Sequence, residues 1–334
     1  MKKKIFITGG AGYVGARLVN ELLKKEYDIT VYDIMYFGDH FLPKDNLNLK
    51  VIKGDIRDQQ KLKDSCKNHD YFVHLACISN DTSFALDEKL STTVNLDAFK
   101  PMVKIAKENG VKRFIYASTS SVYGVSDKKN VTEDHPLVPL TLYNKFKGMC
   151  EPQLLEETDN NFYGVIFRPA TVCGYSPRQR LDLSVNILTN FAVNKKFIKV
   201  FGGDQLRPNL HIADYCEAVD LLILADKNKI KNEIFNVGYQ NLSIMQIAEK
   251  VKKVVEKEFS SINNIKIERE KTDDIRSYHI NSDKIKKILN FTPKYSIEDA
   301  ILELCNAFKK KLLTNTFDDD FYFNVKRLQN IQAK

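Results

Sequence analysis

The segment Thr8-Gly9-Gly10-Ala11-Gly12-Tyr13-Val14-Gly15 constrains this chain more than any other. Before it, residues 4–8 read as a strand. After it, residues 13–25 place Val14, Leu18, Val19, Leu22 and Leu23 on one helical face. Glycines 9, 12 and 15 alone would mark any tight turn. Between a strand and a helix they let backbone N–H groups approach a pyrophosphate at the positive end of the helix. A dinucleotide-binding βαβ opening is therefore the first expectation.

The rest of the first half fits it. Further strands are expected at 28–32, 50–53, 71–76, 113–118 and 163–168, with helices at 62–67, 91–109 and after Tyr143. Strand–helix alternation predicts an α/β fold, a Rossmann-type doubly wound parallel sheet. Apolar runs such as Ile5-Phe6-Ile7 and Phe114-Ile115-Tyr116 suit strands buried on both faces. Beyond about residue 175 the pattern loosens. Helices are expected at 182–192, 213–225 and 243–259, the last opened by a Ser243/Gln246 capping box, with a strand at 233–237 and a loop at 201–208. The expected organisation is a nucleotide-binding domain over 1–175, a smaller α/β substrate-binding lobe interleaved with it over 176–313, and a polar, aromatic tail over 314–334. The tail is expected to dock on the body or on a partner. Pro152 predicts a kink in the helix that carries Tyr143.

Composition removes other classes. At 334 residues and 43% hydrophobic, the chain can bury a large core and is not disordered. No apolar run reaches the ~18 residues of a membrane span, and the N-terminus lacks a signal peptide's apolar region, so a cytoplasmic protein is expected. The six cysteines and six histidines show no metal-ligand spacing, so no metal is expected. The net charge of +8 comes from dispersed lysines without aromatic interleaving, which argues against nucleic acid as a partner.

Two clusters carry candidate chemistry. Asp33 ends the second strand, 18 positions after Gly15, where a carboxylate accepts the ribose hydroxyls of adenosine and repels a 2′-phosphate. NAD is therefore expected rather than NADP. Asp55 and Ile56, after the third strand, would flank the adenine. Tyr143 and Lys147 form a YxxxK pair, which shares one helical face. A nearby ammonium and a positive nicotinamide ring would lower the phenol's ordinary pKa of about 10. Ser118-Thr119-Ser120-Ser121 leaves the fifth strand at its carboxyl end, where a hydroxyl can reach a substrate oxygen and pass a proton to Tyr143.

Taken together, TGGAGYVG (8–15), Asp33, GDIRD (54–58), HLAC (74–77), Asn95, STSSVYG (118–124), YNKFK (143–147), FRPATVCG (167–174) and RPNLHIADYCEA (207–218) resemble the extended short-chain dehydrogenase/reductases, specifically the nucleotide-sugar epimerase/dehydratase group. The resemblance extends through 276–293 and covers roughly residues 3–310. It implies NAD on the N-terminal sheet and a nucleotide-diphosphate sugar beneath the second lobe. Thr119, Tyr143 and Lys147 would be the catalytic triad. Besides Tyr143 and Lys147, Gly9, Gly12, Tyr13, Val14, Gly15, Asp33, Asp55, Ile56, Leu75, Ala76, Cys77, Asn95, Ser118 and Arg168 would bind the cofactor. Besides Thr119, Ser79, Ser120, Arg178, Arg180, Asn186, Arg207 and Arg276 would bind the substrate, Arg207 and Arg276 as clamps on its diphosphate. It also implies a homodimer built on helices 91–109 and 143–157, although Val94, Phe99, Val103, Leu154 and Leu155 could equally be core.

The chain departs from the group's 4,6-dehydratases, which resemble STDEVYG. Their acidic pair acts as acid and base for removing water, and Ser120-Ser121 stands in its place. The expected activity is a nucleotide-sugar epimerase working through a 4-keto intermediate. The alternative is a 4-dehydrogenase or 4-keto reductase, for example on a GDP-heptose. The stretch 175–182, Tyr-Ser-Pro-Arg-Gln-Arg-Leu-Asp, is similar to one in enzymes acting on activated heptoses and deoxysugars. There Arg178 and Arg180 could contact the diphosphate, the base or the bound NAD.

Overall fold

The computed structural model describes residues 2–126, 128, 130–272 and 277–334. Strands β1 (Lys4–Thr8), β2 (Asp28–Asp33), β3 (Leu49–Lys53), β4 (Tyr71–His74), β5 (Arg113–Ala117) and β6 (Tyr163–Pro169) lie in one parallel sheet. Later come β7 (Thr171–Cys173), β8 (Phe197–Phe201), β9 (Leu206–His211), β10 (Ile234–Val237), β11 (Gln240–Ser243) and β12 (Lys266–Glu270). Of these, β10 joins the main sheet, whose order is β10-β6-β5-β4-β1-β2-β3. The order reverses between β1 and β4, which opens a crevice at the carboxyl ends of those strands.

Alternation along the strands builds two apolar layers. Ile5, Ile7, Val31, Val73 and Ile115 pack towards the Tyr13–Leu23 and Ile212–Leu224 helices. Phe6, Phe72, Phe114 and Tyr116 face Phe99, Met102, Val103 and Leu154. Phe72 and Phe114 stack with ring centroids 4.6 Å apart. β5 is buried along its whole length, as its continuous apolar run predicts. Phe99, Val103 and Leu154 are therefore core of this chain and unavailable to a dimer interface, while Val94 and Leu155 pack partly buried at its margin.

The second lobe gathers a separate core around the helices Ser184–Lys195, Ile244–Glu258 and Ile297–Lys309. The expected capping box of Ser243 and Gln246 forms. Instead of a loop over 201–208, β8 and β9 flank a short turn. β9 pairs with β7 and β11, and β8 pairs with β12. Each strand gains its partner from far along the chain, so the local pattern did not reveal it.

One helix differs from expectation. The predicted 91–109 helix is a short helix Glu88–Thr92, a π-helical turn Thr93–Asp97 and a helix Phe99–Glu108. The turn places Asn95 against the loop after β4. Pro152 does not end its helix, which runs from Leu142 to Glu156. The carbonyl its ring approaches belongs to Gly148, and the helix needs only one more turn. Among the described residues no helix is long and apolar enough to cross a membrane.

Candidate active site

A cleft of about 460 Å³ opens at the carboxyl ends of β1, β2, β4, β5 and β6. At one end lies the glycine turn. Gly9 has φ +76°, and a Cβ there would stand 2.5 Å from the Ala76 nitrogen. A Cβ on Gly15 would stand 2.2 Å from the Gly9 oxygen. These two glycines let the turn fold onto itself and onto the end of β4. Gly12 caps the Tyr13–Leu23 helix with no side-chain bond, so the helix N-terminus faces the cleft unscreened.

Asp33 lines the same end. Its carboxylate accepts the Ala11 N–H at 3.0 Å and the Met35 N–H at 2.8 Å. Burial raises its pKa, and these two bonds oppose the rise. Each oxygen keeps a lone pair for a ligand. Asp55 and Ile56 also line the cleft, with Asp55 held at 2.5 Å by Arg57. Val14, Leu75, Ala76 and Cys77 supply apolar wall. Tyr13 lines it too, but its hydroxyl donates to the Gly174 carbonyl at 2.8 Å and so ties the two lobes.

At the other end Thr119, Ser120, Tyr143 and Lys147 come together. Thr141 caps the Leu142–Glu156 helix and so sets where Tyr143 begins its first turn. Lys147 Nζ donates to the Ala117 carbonyl at 2.8 Å. Burial pushes the Tyr143 phenol well above its usual range, opposite to the shift expected from YxxxK alone. A chain of bonds then polarises Thr119. Asn144 Oδ1 can only accept, so Ser121 Oγ donates to it at 2.5 Å. Ser121 must then accept from Thr119 across their 2.8 Å contact. Thr119 also takes the Ser121 N–H at 3.2 Å. Its one proton is committed, and a lone pair remains for an incoming hydroxyl.

The second lobe contributes Arg178, Arg180 and Arg207 to the wall. Arg180 is paired with Asp182 at 2.8 Å and donates to Ser79 at 3.2 Å. Arg178 is 1% exposed, lies 3.6 Å from the Phe37 ring centroid, and belongs to the Asp33 end of the cleft. Arg276 lies outside the described residues.

Four candidates stand behind the wall rather than on it. Arg168 and Glu151, each side chain 3% exposed, form an ion pair at 2.6 Å. Glu151 also accepts the Ser118 hydroxyl at 2.6 Å, which turns that side chain inward although Ser118 borders the cleft. Asn95 holds the backbone of Ile78 through two bonds of 2.8 and 2.9 Å. Asn186 joins Gly174, Arg180 and Tyr13. Gly15 acts through packing. In each case a polar or crowded position adjoins the site in sequence, and only the pairing of distant segments turns it away. Sequence reasoning missed Asn324 and Leu328, which line the cleft from the C-terminal segment. The cluster of Phe317, Phe321, Tyr322 and Phe323 was the available signal.

The residues present suit a dinucleotide: an open helix N-terminus, a turn with no room for side chains at Gly9 and Gly15, and a carboxylate with free lone pairs. Comparison with known proteins agrees. The family model "NAD dependent epimerase/dehydratase family" matches residues 5–238. A UDP-N-acetyl-alpha-D-glucosaminuronate decarboxylase of Bacillus cytotoxicus is 28% identical, over 93% of this chain and 99% of its own. A UDP-glucose 4-epimerase of Lactobacillus helveticus is 28% identical, over 74% and 81%. The crystal structure of a UDP-glucose 4-epimerase of Thermotoga maritima with UDP-glucose superposes with TM-score 0.82 at 23% identity, covering 93% of this chain and all of the other.

Proposed function

The chain belongs to the NAD-dependent epimerase/dehydratase family, and we propose that within it the protein is a nucleotide-sugar epimerase that oxidises C4 of a nucleotide-diphosphate sugar and reduces the ketone again. When bound, the nicotinamide supplies the hydride acceptor and donor. Tyr143 takes the proton of the C4 hydroxyl and returns it. The C4 hydroxyl's single proton goes to Tyr143, so Thr119 accepts through its remaining lone pair from a neighbouring hydroxyl of the sugar. Lys147, buried and fixed on the Ala117 carbonyl, shares the helical face of Tyr143 and holds the nicotinamide ribose. Arg207 serves the diphosphate, with Arg180 and Ser79 towards the sugar.

The observation that carries this reading is the neighbourhood of Thr119. Dehydration needs an acid and a base beside it, and Ser120 and Ser121 carry neither. Of the carboxylates that line the cleft, Asp81 lies close enough to Tyr143 to act on its pKa, and it accepts the Thr141 hydroxyl at 2.5 Å. One such group cannot serve as both members of the pair.

The test is proton NMR of the purified protein in D2O with UDP-glucose, UDP-glucuronate and GDP-mannose in turn. The expected result with an accepted sugar is its C4 epimer, with hydrogen retained at C4, no methyl resonance at C6 and no net NADH. A C6 methyl signal would establish a dehydratase. Loss of the C6 carboxyl from UDP-glucuronate would establish a decarboxylase. Accumulating NADH would favour the 4-dehydrogenase.

Two further outcomes are expected. Asp33→Ala removes a charged acceptor and should weaken NAD binding by about ten-fold or more, while weakening NADP less. Titration of both dinucleotides by fluorescence checks it, and an unchanged preference would misplace the ribose. Turnover should also rise with pH. Burial holds Tyr143 neutral at neutral pH, and raising the pH increases the ionised fraction that can act as base. A flat profile between about pH 7 and 9 would remove Tyr143 from the rate-limiting proton transfer. The dimer expected by resemblance now leans on the exposed Leu142 and Met149 rather than on the buried helix positions. An equilibrium molar mass of one chain would count against it.

A further inference from the structure

The C-terminal segment lies across the mouth of the cleft and is bound to both lobes. The Tyr322 carbonyl accepts the Leu181 N–H at 2.9 Å. Arg327 donates to the Tyr36 carbonyl at 2.8 Å, and its guanidinium lies 4.1 Å from the Phe321 ring centroid. Tyr36 and Arg57 donate to the Lys334 carbonyl at 2.6 and 2.8 Å. Tyr36 and Asp55 belong to the end of the cleft that Asp33 marks. The segment thus spans that end, and Leu328 covers it with an apolar side chain that is 7% exposed. The segment's own residues, Phe321, Tyr322, Arg327, Leu328 and Lys334, lie beyond the part of the chain that the family model matches, which ends at 238.

At the centre is Asn324. Its backbone N–H donates to Asp182 at 3.1 Å and its amide donates to Ser79 at 2.9 Å. Its Oδ1 accepts from Arg178 at 2.7 Å. That bond joins Arg178 to a neutral group. Among the described residues its Nε has no partner, and the neighbouring Arg180 adds like charge that the Asp182 and Asp33 carboxylates oppose without bonding to it. Burial pushes Arg178 down to about 9. A buried guanidinium with an idle donor on the wall of a ligand cleft calls for an anion.

We propose that residues 314–334 form a strap that retains the dinucleotide, with Asn324 holding Arg178 in place as a buried counter-charge for the dinucleotide's diphosphate. Docking of the strap and binding of the cofactor then stabilise one another. An enzyme that keeps its cofactor through many turnovers gains from such a device. The inference rests on the family's use of NAD and not on the identity of the sugar or the reaction at C4.

The experiment measures release of bound NADH from the full-length protein, by loss of fluorescence after dilution into excess NAD. Asn324→Ala and Leu328→Ala should each speed release by about ten-fold, within the usual span of coupling between sites. Arg178→Met should do the same, and Asn324→Ala in that background should add little, because both act through one contact. Saturating NAD should also slow proteolysis between residues 314 and 334. Release within two-fold of the parent in all three folded single variants, or a tail cleaved equally fast with and without NAD, overturns the proposal. Weakened binding of UDP with unchanged NADH release would place Arg178 on the sugar nucleotide and overturn it as well. Thr119→Ala is the separate control. It should lose turnover and leave NADH release unchanged, so failure of the epimerase reading would not mimic failure of the strap.

Discussion

Replacing Tyr143 by Phe should lower turnover by about 10²–10⁴-fold while leaving the fold and NAD binding intact. The change deletes one hydroxyl on the wall of the cleft and keeps the ring that packs there. Among the described residues no side-chain or backbone bond depends on that hydroxyl. The large loss therefore reports chemistry rather than stability. Steady-state assay on whichever sugar NMR identifies, together with a thermal melt, checks it. Turnover within a few-fold of the parent would sink the role of Tyr143 and leave Thr119 or a solvent molecule as the proton acceptor.

Arg168→Met should destabilise the protein by about 3–5 kcal/mol, the usual cost of leaving one partner of a buried ion pair behind. Glu151 would keep only the Ser118 hydroxyl, and Tyr123 and the Glu133 carbonyl would lose their donor. Denaturant unfolding followed by circular dichroism measures the loss. NAD affinity of the folded fraction should change little. If instead affinity falls and stability does not, the cofactor role implied by the resemblance was right and the buried pair is incidental. Glu151→Gln should be milder than Arg168→Met, because the amide oxygen can still accept from Ser118 and Arg168 Nε and only the bond to Arg168 Nη2 is lost.

The candidate site was unevenly readable from the chain. Gly9, Gly12 and Asp33 were readable because their roles are local: a turn, a helix start and a strand end lie within one βαβ unit. Tyr143 and Lys147 were readable because i and i+4 share a helical face in any context. Arg168, Asn95 and Asn186 were placed in the site by the family resemblance. Their side chains are claimed by Glu151, by the Ile78 backbone and by the 174–180 loop. Residues 201–208, which hold the end of β8 and the start of β9, looked like a loop for the same reason, since β12 and β11 arrive from more than thirty residues away.

The sequence by itself determined the parallel sheet, the glycine turn, a carboxylate at the end of the second strand and the shared helical face of Tyr143 and Lys147. Each follows from periodicity or from backbone chemistry that operates over a few residues. Only the tertiary structure decided that burial raises the Tyr143 pKa, that Ser121 and Asn144 leave Thr119 an acceptor, and that Asn324 bonds Arg178 on the cleft wall. Burial, hydrogen-bond direction and the charge left on a buried group depend on which distant segments meet, and neither composition nor spacing encodes that meeting.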